Sequence, residues 1–309
     1  MESPYRLIDL DRSAPPTPVP DQVLVGVASR PGRVPAGIDV LLTGGSHAPR
    51  PWVACADPRL TAGWIGDEVG RHPTASVTLV QVLRAGRALA APDRLLVESL
   101  AYSALQGGAD FRAWLASAPP RTPRPAAAPV RLRRDGDRLS VVLDRPRARN
   151  AFDAATRDAL CEALEVAAAD PSITRVDLRG TGPAFCAGGD LTEFGTARDT
   201  AESHRVRVSR SPAALLLRCA AKVTAHLHGA CVGAGIELAA FAGRVTATPD
   251  TVIRLPEIEM GLIPGAGGTA SLPARIGRER TAYLALSGAA LNASDALHWG
   301  LVDELSVEN

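Results

Sequence analysis

Residues 228–268 read HGACVGAGIELAAFAGRVTATPDTVIRLPEIEMGLIPGAGG. The glycine turn Gly233-Ala-Gly235 opens an apolar helix that carries Glu237 in its first turn. A strand and loop then deliver a second carboxylate, Glu257, and a second glycine cluster follows from Gly265 to Gly268. Two carboxylates share acid/base work only where both project into one partly dry pocket, in which burial and mutual repulsion hold their pKa values apart. Glu237 lies among Ile236, Leu238, Ala239 and Ala240, and a buried carboxylate in such company needs a reason to be there. Glu257 has Glu259 two residues on, and one of that pair is free to face solvent. The glycine turn lets backbone approach a ligand closely, with the helix that follows aiming N–H groups at developing negative charge.

Around this stretch, composition sets the bounds. A chain of 309 residues with 46% hydrophobic and 22% charged content buries a real core as one large domain or two. A net charge of +1 makes no case for nucleic acid or an anionic membrane as partner. Five cysteines (55, 161, 186, 219, 231) lack CxxC spacing and read as reduced thiols. The start, MESPYRLIDLDRS, has no basic n-region followed by an apolar run, and no segment has the length of a membrane span. These features together predict a cytoplasmic protein. His226 and His228 have no third partner at metal-site spacing, so no metal is expected. G-x-S-x-G and G-x-G-x-x-G are both absent.

Residues 1–20 are proline-rich and read as a surface arm. Aliphatic runs at Val23–Val27, Ile38–Leu42 and Trp52–Cys55 predict strands, and residues 58–71, 74–84, 94–105 and 110–115 predict helices. Ser117–Pro129 (SAPPRTPRPAAAP) holds too much proline for either element. It divides the chain into an N-terminal α/β segment (1–116), a linker (117–129) and a second part (130–309). In that second part Asp135-Gly-Asp137 signals a hairpin, Phe152–Ala168 a helix with Asp153 as N-cap, and Ser211-Pro212 a helix start. Strands alternating with helices predict a mainly parallel α/β core.

Four stretches together carry a resemblance: Leu143-Asp-Arg-Pro-Arg-Ala-Arg-Asn-Ala151, Gly180-Thr-Gly-Pro-Ala-Phe-Cys-Ala-Gly-Gly-Asp190, the 228–268 segment, and Gly288 with Ser294-Asp-Ala-Leu-His-Trp-Gly-Leu-Val-Asp303. In order and spacing they resemble the crotonase (enoyl-CoA hydratase/isomerase) superfamily over roughly residues 130–305. The resemblance implies a ββα spiral core and a two-glutamate dyad, Glu237 and Glu257. It implies an oxyanion hole from the amides of Gly189 and Ala234, the latter standing where glycine is common. It implies coenzyme A contacts at Arg147, Ala148, Ala187, Gly188, Asp190, Leu191 and Gly265, with Arg145, Arg147 and Arg149 placed either for CoA phosphates or on a solvated face. The implied activity is syn-hydration of a 2-enoyl-CoA to a 3-hydroxyacyl-CoA. A double-bond isomerase, or a non-catalytic partner subunit of the same fold, are the alternatives. The partner is an acyl-CoA thioester in a homotrimer or homohexamer, with no cofactor beyond the substrate's own CoA. Ala242-Gly243-Arg244 departs from the Cys-Asp pair usual in the family, which marks a divergent branch.

Family members continue in helices beyond the Gly-Leu-Val-Asp motif, whereas Asn309 follows Asp303 closely here. Arg94–Leu115, LLVESLAYSALQGGADFRAWL in its body, resembles the family's final helix, and Pro73–Arg84 the helix before it. The expectation is that the N-terminal segment supplies these helices, as in a circular permutation.

Overall fold

The computed structural model describes residues 3–14, 17, 19–119, 122–124, 126 and 128–306. Its first four strands, β1 (Tyr5–Asp9), β2 (Val23–Ala28), β3 (Val40–Gly44) and β4 (Val53–Cys55), form a parallel sheet in chain order. β2 is buried at every position, as a central strand covered on both faces must be. Val23, Val25 and Val27 enter the main core, while Leu24 and Ala28 pack with Ile38, Leu41 and Trp52 on the other face. The expected arm over residues 1–20 is corrected at β1. That strand pairs with β2 from Tyr5↔Val23 to Asp9↔Val27, and Tyr5 Oη donates to Ala62 O at 2.7 Å. Its partner lies beyond a proline-rich connection, so nothing local announces it. Positions 1, 2, 15, 16 and 18 lie outside the described residues.

Helices α1 (Pro58–Arg71), α2 (Pro73–Ala85), α3 (Ala91–Gln106) and α4 (Ala109–Ser117) follow. Asp57 caps α1 by accepting from the amides of Arg59 (2.9 Å) and Leu60 (3.0 Å), with Pro58 at the first helical position. Of the proline-rich 117–129 stretch, Ser117 closes α4 and positions 120, 121, 125 and 127 lie outside the described residues.

Strands β5 (Val130–Asp135) and β6 (Arg138–Leu143) form the expected hairpin, turning at Gly136 with φ +59. Next come α5 (Ala154–Ala169), β7 (Arg175–Gly180), α6 (Thr200–Ser209), α7 (Pro212–Cys219), β8 (Val223–Leu227), β9 (Ala230–Val232), α8 (Ala234–Ala239), β10 (Arg244–Ala247) and β11 (Val252–Arg254). The chain then runs through α9 (Gly268–Ile276), α10 (Arg278–Ser287), β12 (Leu291–Asn292), α11 (Ala293–Trp299) and β13 (Glu304–Leu305). α5 begins later than predicted because Asp153 caps it, accepting from Thr156 N at 2.8 Å, while Phe152 bridges to Gly189. One sheet runs β13-β10-β8-β7-β6-β5 and a smaller one β12-β11-β9.

A single contiguous core reaches from Val23 through Phe111 and Leu160 to Val302, so both ends of the chain share it. Asp39, fully buried on the N-terminal side, receives Arg84 Nε and Arg278 Nη1, each at 2.9 Å, and the Leu24 amide. A buried carboxylate so surrounded fixes register, and removing one partner strands a charge. α3 packs on α6 and α9, and α4 on the turn that carries Glu257.

Candidate active site

Glu237 sits in α8, one turn after Gly233 (φ +48), a left-handed position that favours glycine. It is 2% exposed, and its Oε2 accepts from the amides of Ala266 (2.8 Å) and Gly268 (2.9 Å). Glu257 opens a 3₁₀ turn, Glu257–Met260. A Cβ on Gly233 would run into Glu257 Oε1, so the glycine is what lets this carboxylate lie over the turn. Glu257 Oε2 is enclosed without a hydrogen-bond partner. Both glutamates line one cavity of about 440 Å³.

Gly189 and Ala234 line the same cavity. Phe152 N donates to Gly188 O (2.8 Å) and Asp190 N to Phe152 O (2.9 Å). In this parallel bridge the amide of Gly189 itself turns away from Phe152. Ala234 is the first residue of α8, where an amide has no intrahelical acceptor. The loop that closes the cavity brings Gly265, whose missing Cβ makes room for the Tyr102 ring.

Two residues of this cavity, Glu98 and Tyr102 of α3, are not singled out by sequence reasoning, and a third, Arg207 of α6, lies in a basic segment (His204, Arg205, Arg207, Arg210) to which the sequence assigns no role. Glu98 is 2% exposed; its Oε1 accepts from Gly267 N (2.7 Å), its Oε2 from Thr269 N (2.8 Å) and Thr269 Oγ1 (2.7 Å). Successive amides of one loop thus alternate between two carboxylates, 266 and 268 to Glu237, 267 and 269 to Glu98. A signal exists, because Glu98 lies among Leu95, Leu96, Val97 and Leu100, the same apolar company that marks Glu237. Burial, with Glu257 and Glu98 nearby, holds the Glu237 carboxyl well above its ordinary range. Burial also pushes Glu257 up to about 8, and Glu98 up to about 7 against the hydrogen bonds it accepts.

The remaining candidates stand outside this cavity. Arg147 and Arg149 are exposed, and Ala148 is half-buried in the short turn Pro146–Ala148. Ala187 N donates to Arg149 O at 3.0 Å, and Gly188 adopts φ +94. Arg145 is buried and grips Asp153 (3.0 Å) and Asp190 (2.9 Å). Its guanidinium is therefore committed inside the protein. Burial works against ionisation of Asp190, yet hydrogen bonds from Thr192 and Arg145 hold its carboxyl below the ordinary range. Leu191 is half-buried beside it. His226 bonds Asp177 (2.7 Å) and Thr246 (3.1 Å), and His228 bonds Gly182 O (3.0 Å). Among the described residues no group of three or more His, Cys, Asp or Glu is arranged to hold a metal ion. No helix among them is long and apolar enough to cross a membrane.

Residues 138–309 match the family described as Enoyl-CoA hydratase/isomerase. The chain is 36% identical over 170 residues to YhaR of Bacillus subtilis (strain 168), named for enoyl-CoA hydratase/isomerase, covering 55% of this chain and 66% of that one. It is 35% identical over 178 residues to the enoyl-CoA isomerase/hydratase fer4 of Mycosarcoma maydis, covering 54% and 64%. The chain thus spans just under two thirds of the length of these relatives. The crystal structure of an enoyl-CoA hydratase from Thermoplasma volcanium GSS1 superposes with a TM-score of 0.54 at 34% identity, over 59% of this chain and 73% of that one.

Proposed function

The chain belongs to the enoyl-CoA hydratase/isomerase family, and from that premise we propose that it hydrates a 2-enoyl-CoA to the 3-hydroxyacyl-CoA. The observation that carries this is the meeting of Glu237, Glu257, Gly189 and Ala234 on one cavity wall. In this reading the thioester oxygen lies between the amides of Gly189 and Ala234. One such donor contributes on the order of 2.7–4 kcal/mol once charge moves onto the oxygen. A water held by the two carboxyls loses a proton to the one that is ionised as its oxygen bonds Cβ. The other, kept protonated by its buried setting, delivers a proton to Cα. Both carboxyls serve the same face of the alkene, so the addition is syn. Coenzyme A enters as part of the substrate, its nucleotide end passing the exposed Arg147 and Arg149, and no further cofactor takes part.

A second reading has its own observation. The amides of the 266–268 loop engage Glu237 and not Glu257, whose Oε2 is left without a partner. A lone acid/base moving a proton between Cα and Cγ would make the enzyme an isomerase. A panel of 2- and 3-enoyl-CoAs followed by mass spectrometry separates the two, since hydration adds the mass of water and isomerisation adds none. Inertness toward every member would leave the non-catalytic subunit standing. We place α2–α4 in the role of the family's terminal helices, and a homotrimer or homohexamer, checked by light scattering, completes the proposal.

A further inference from the structure

The cavity holds one cation with no direct ion pair among the described residues, Glu98 being near enough only to feel its charge. Arg207 is half-buried on the wall, with its guanidinium carbon 4.8 Å from the centroid of the Tyr102 ring. Its Nε donates to Ser99 Oγ (3.2 Å), Nη1 to Gln106 Oε1 (3.1 Å) and Nη2 to Ser103 Oγ. All of these acceptors are neutral. Arg157 and Arg210, also on the wall, both pair with Asp158, at 2.9 and 3.1 Å. Arg207 forms no ion pair within 4.0 Å among the described residues. The acids that share its cavity make their hydrogen bonds and contacts elsewhere: Glu98 with Gly267 and Thr269, Glu237 with Ala266 and Gly268, Glu257 over Gly233, Asp153 with Arg145 and Glu193 with the Ala154 amide.

A half-buried guanidinium without a direct carboxylate partner, in a cavity also lined by Leu95, Leu96 and Phe152, gains from an anion that arrives to meet it. With a further bond from Nη2 to Ser99 O (3.5 Å), four neutral acceptors fix the guanidinium fork without cancelling its charge, and of its five N–H donors one on Nη1 remains. The Tyr102 hydroxyl has no hydrogen-bond partner among the described residues and borders the same space. Burial holds that phenol above its ordinary range, so it remains a donor. Because Glu237 and Glu257 share this space, the acyl end of a bound thioester is what reaches it.

We propose that the acyl group accepted here ends in a carboxylate, received by Arg207 through a charge-assisted bond, with Tyr102 as a second donor. This rests on the acyl-CoA reading above. The substrate class is then the monothioester of an unsaturated dicarboxylic acid.

Calorimetric titration of the full chain with hexanoyl-CoA and with the equally long thioester of hexanedioic acid tests this without turnover. The carboxylate-ended ligand should bind at least about tenfold tighter. Arg207→Gln should abolish that preference, Arg207→Lys keep part of it, and Tyr102→Phe reduce it less. Equal or weaker binding of the carboxylate-ended ligand to the unaltered protein overturns the proposal, whatever the variants do. A kept preference with no water added to the matching 2-enoyl thioesters would sink the hydratase reading alone. Binding of neither ligand would sink both.

Discussion

Glu237 and Glu98 reach the same loop from opposite ends of the chain, and the difference between them is how many oxygens each leaves free. Glu237 takes both of its loop amides on Oε2, so Oε1 remains available toward the cavity. Glu98 engages both oxygens, one on Gly267 and the other on Thr269. Two equally buried glutamates therefore differ in kind. The one from the spiral core keeps a lone oxygen for chemistry, and the one from the N-terminal segment spends both on holding the loop in place. Gly268 shows how tight the arrangement is, since a Cβ there would lie 2.7 Å from Glu237 Cγ.

The harshest way to break the comparison is to remove one side of it. A chain beginning at Pro129 lacks Glu98 and the whole N-terminal share of a contiguous core. The apolar area uncovered is large against a total stability of about 5–15 kcal/mol, so this chain should aggregate on expression. Adding residues 70–116 in trans should restore some solubility. A soluble, cooperatively melting 129–309 chain would show that the shared core is dispensable.

Next in size is Glu237→Gln. The amide oxygen can still accept from Ala266 and Gly268 while the NH₂ replaces the free oxygen. Hydratase turnover should fall by about 10²–10⁴-fold, with the melting temperature close to that of the unaltered protein. Under the isomerase reading the same variant leaves turnover nearly intact and Glu257→Gln removes it. Full activity in both variants would end the dyad assignment.

Glu98→Gln should do the reverse. A glutamine cannot accept on both ends, so its NH₂ must face an amide donor, leaving buried donors unsatisfied at about 1–3 kcal/mol each. Urea denaturation should show that loss, and kcat should fall less than in Glu237→Gln. A larger loss of turnover than of stability would place Glu98 among the reacting groups.

The same contrasts explain how much of the molecule is legible in its sequence. The Glu237 and Glu257 stretches carry local marks: a glycine turn, an apolar helix, a Pro-Glu-Ile register. The spiral core, which the solved enoyl-CoA hydratases share, can be read from them. Glu98 shows in its sequence only the apolar company of a buried helix residue, because its partners lie 169 and 171 positions away and no local pattern encodes them. Arg207 stands among Arg205 and Arg210 in the sequence without a mark of its own, because its place depends on Ser99, Ser103 and Gln106 from α3. β1 escapes a sequence reading for the same reason, since a short strand beside prolines is defined by the strand it pairs with.

The pH dependence of stability is the measurement most diagnostic of how the three carboxyls are held. Glu98, Glu237 and Glu257 all have folded-state pKa values raised above the ordinary 4.5, Glu98 to about 7 and Glu257 to about 8. A carboxyl raised on folding binds its proton more tightly in the folded state. Its contribution to stability is therefore complete below 4.5 and lost as pH rises through the folded value. Each such group should lower stability by up to about 1.4 kcal/mol per pH unit across its window. His226 opposes this, because burial lowers its pKa and its contribution is lost as pH falls below the ordinary 6.5. Stability measured by urea denaturation should hence decline from pH 6.5 to 8, and less steeply below that range. Glu98→Gln removes one of the three carboxyls and should flatten the slope between 4.5 and about 7, while leaving the decline toward 8 in place. An unchanged slope in that variant would mean that Glu98 stays ionised throughout, held by its three donors more strongly than burial opposes it.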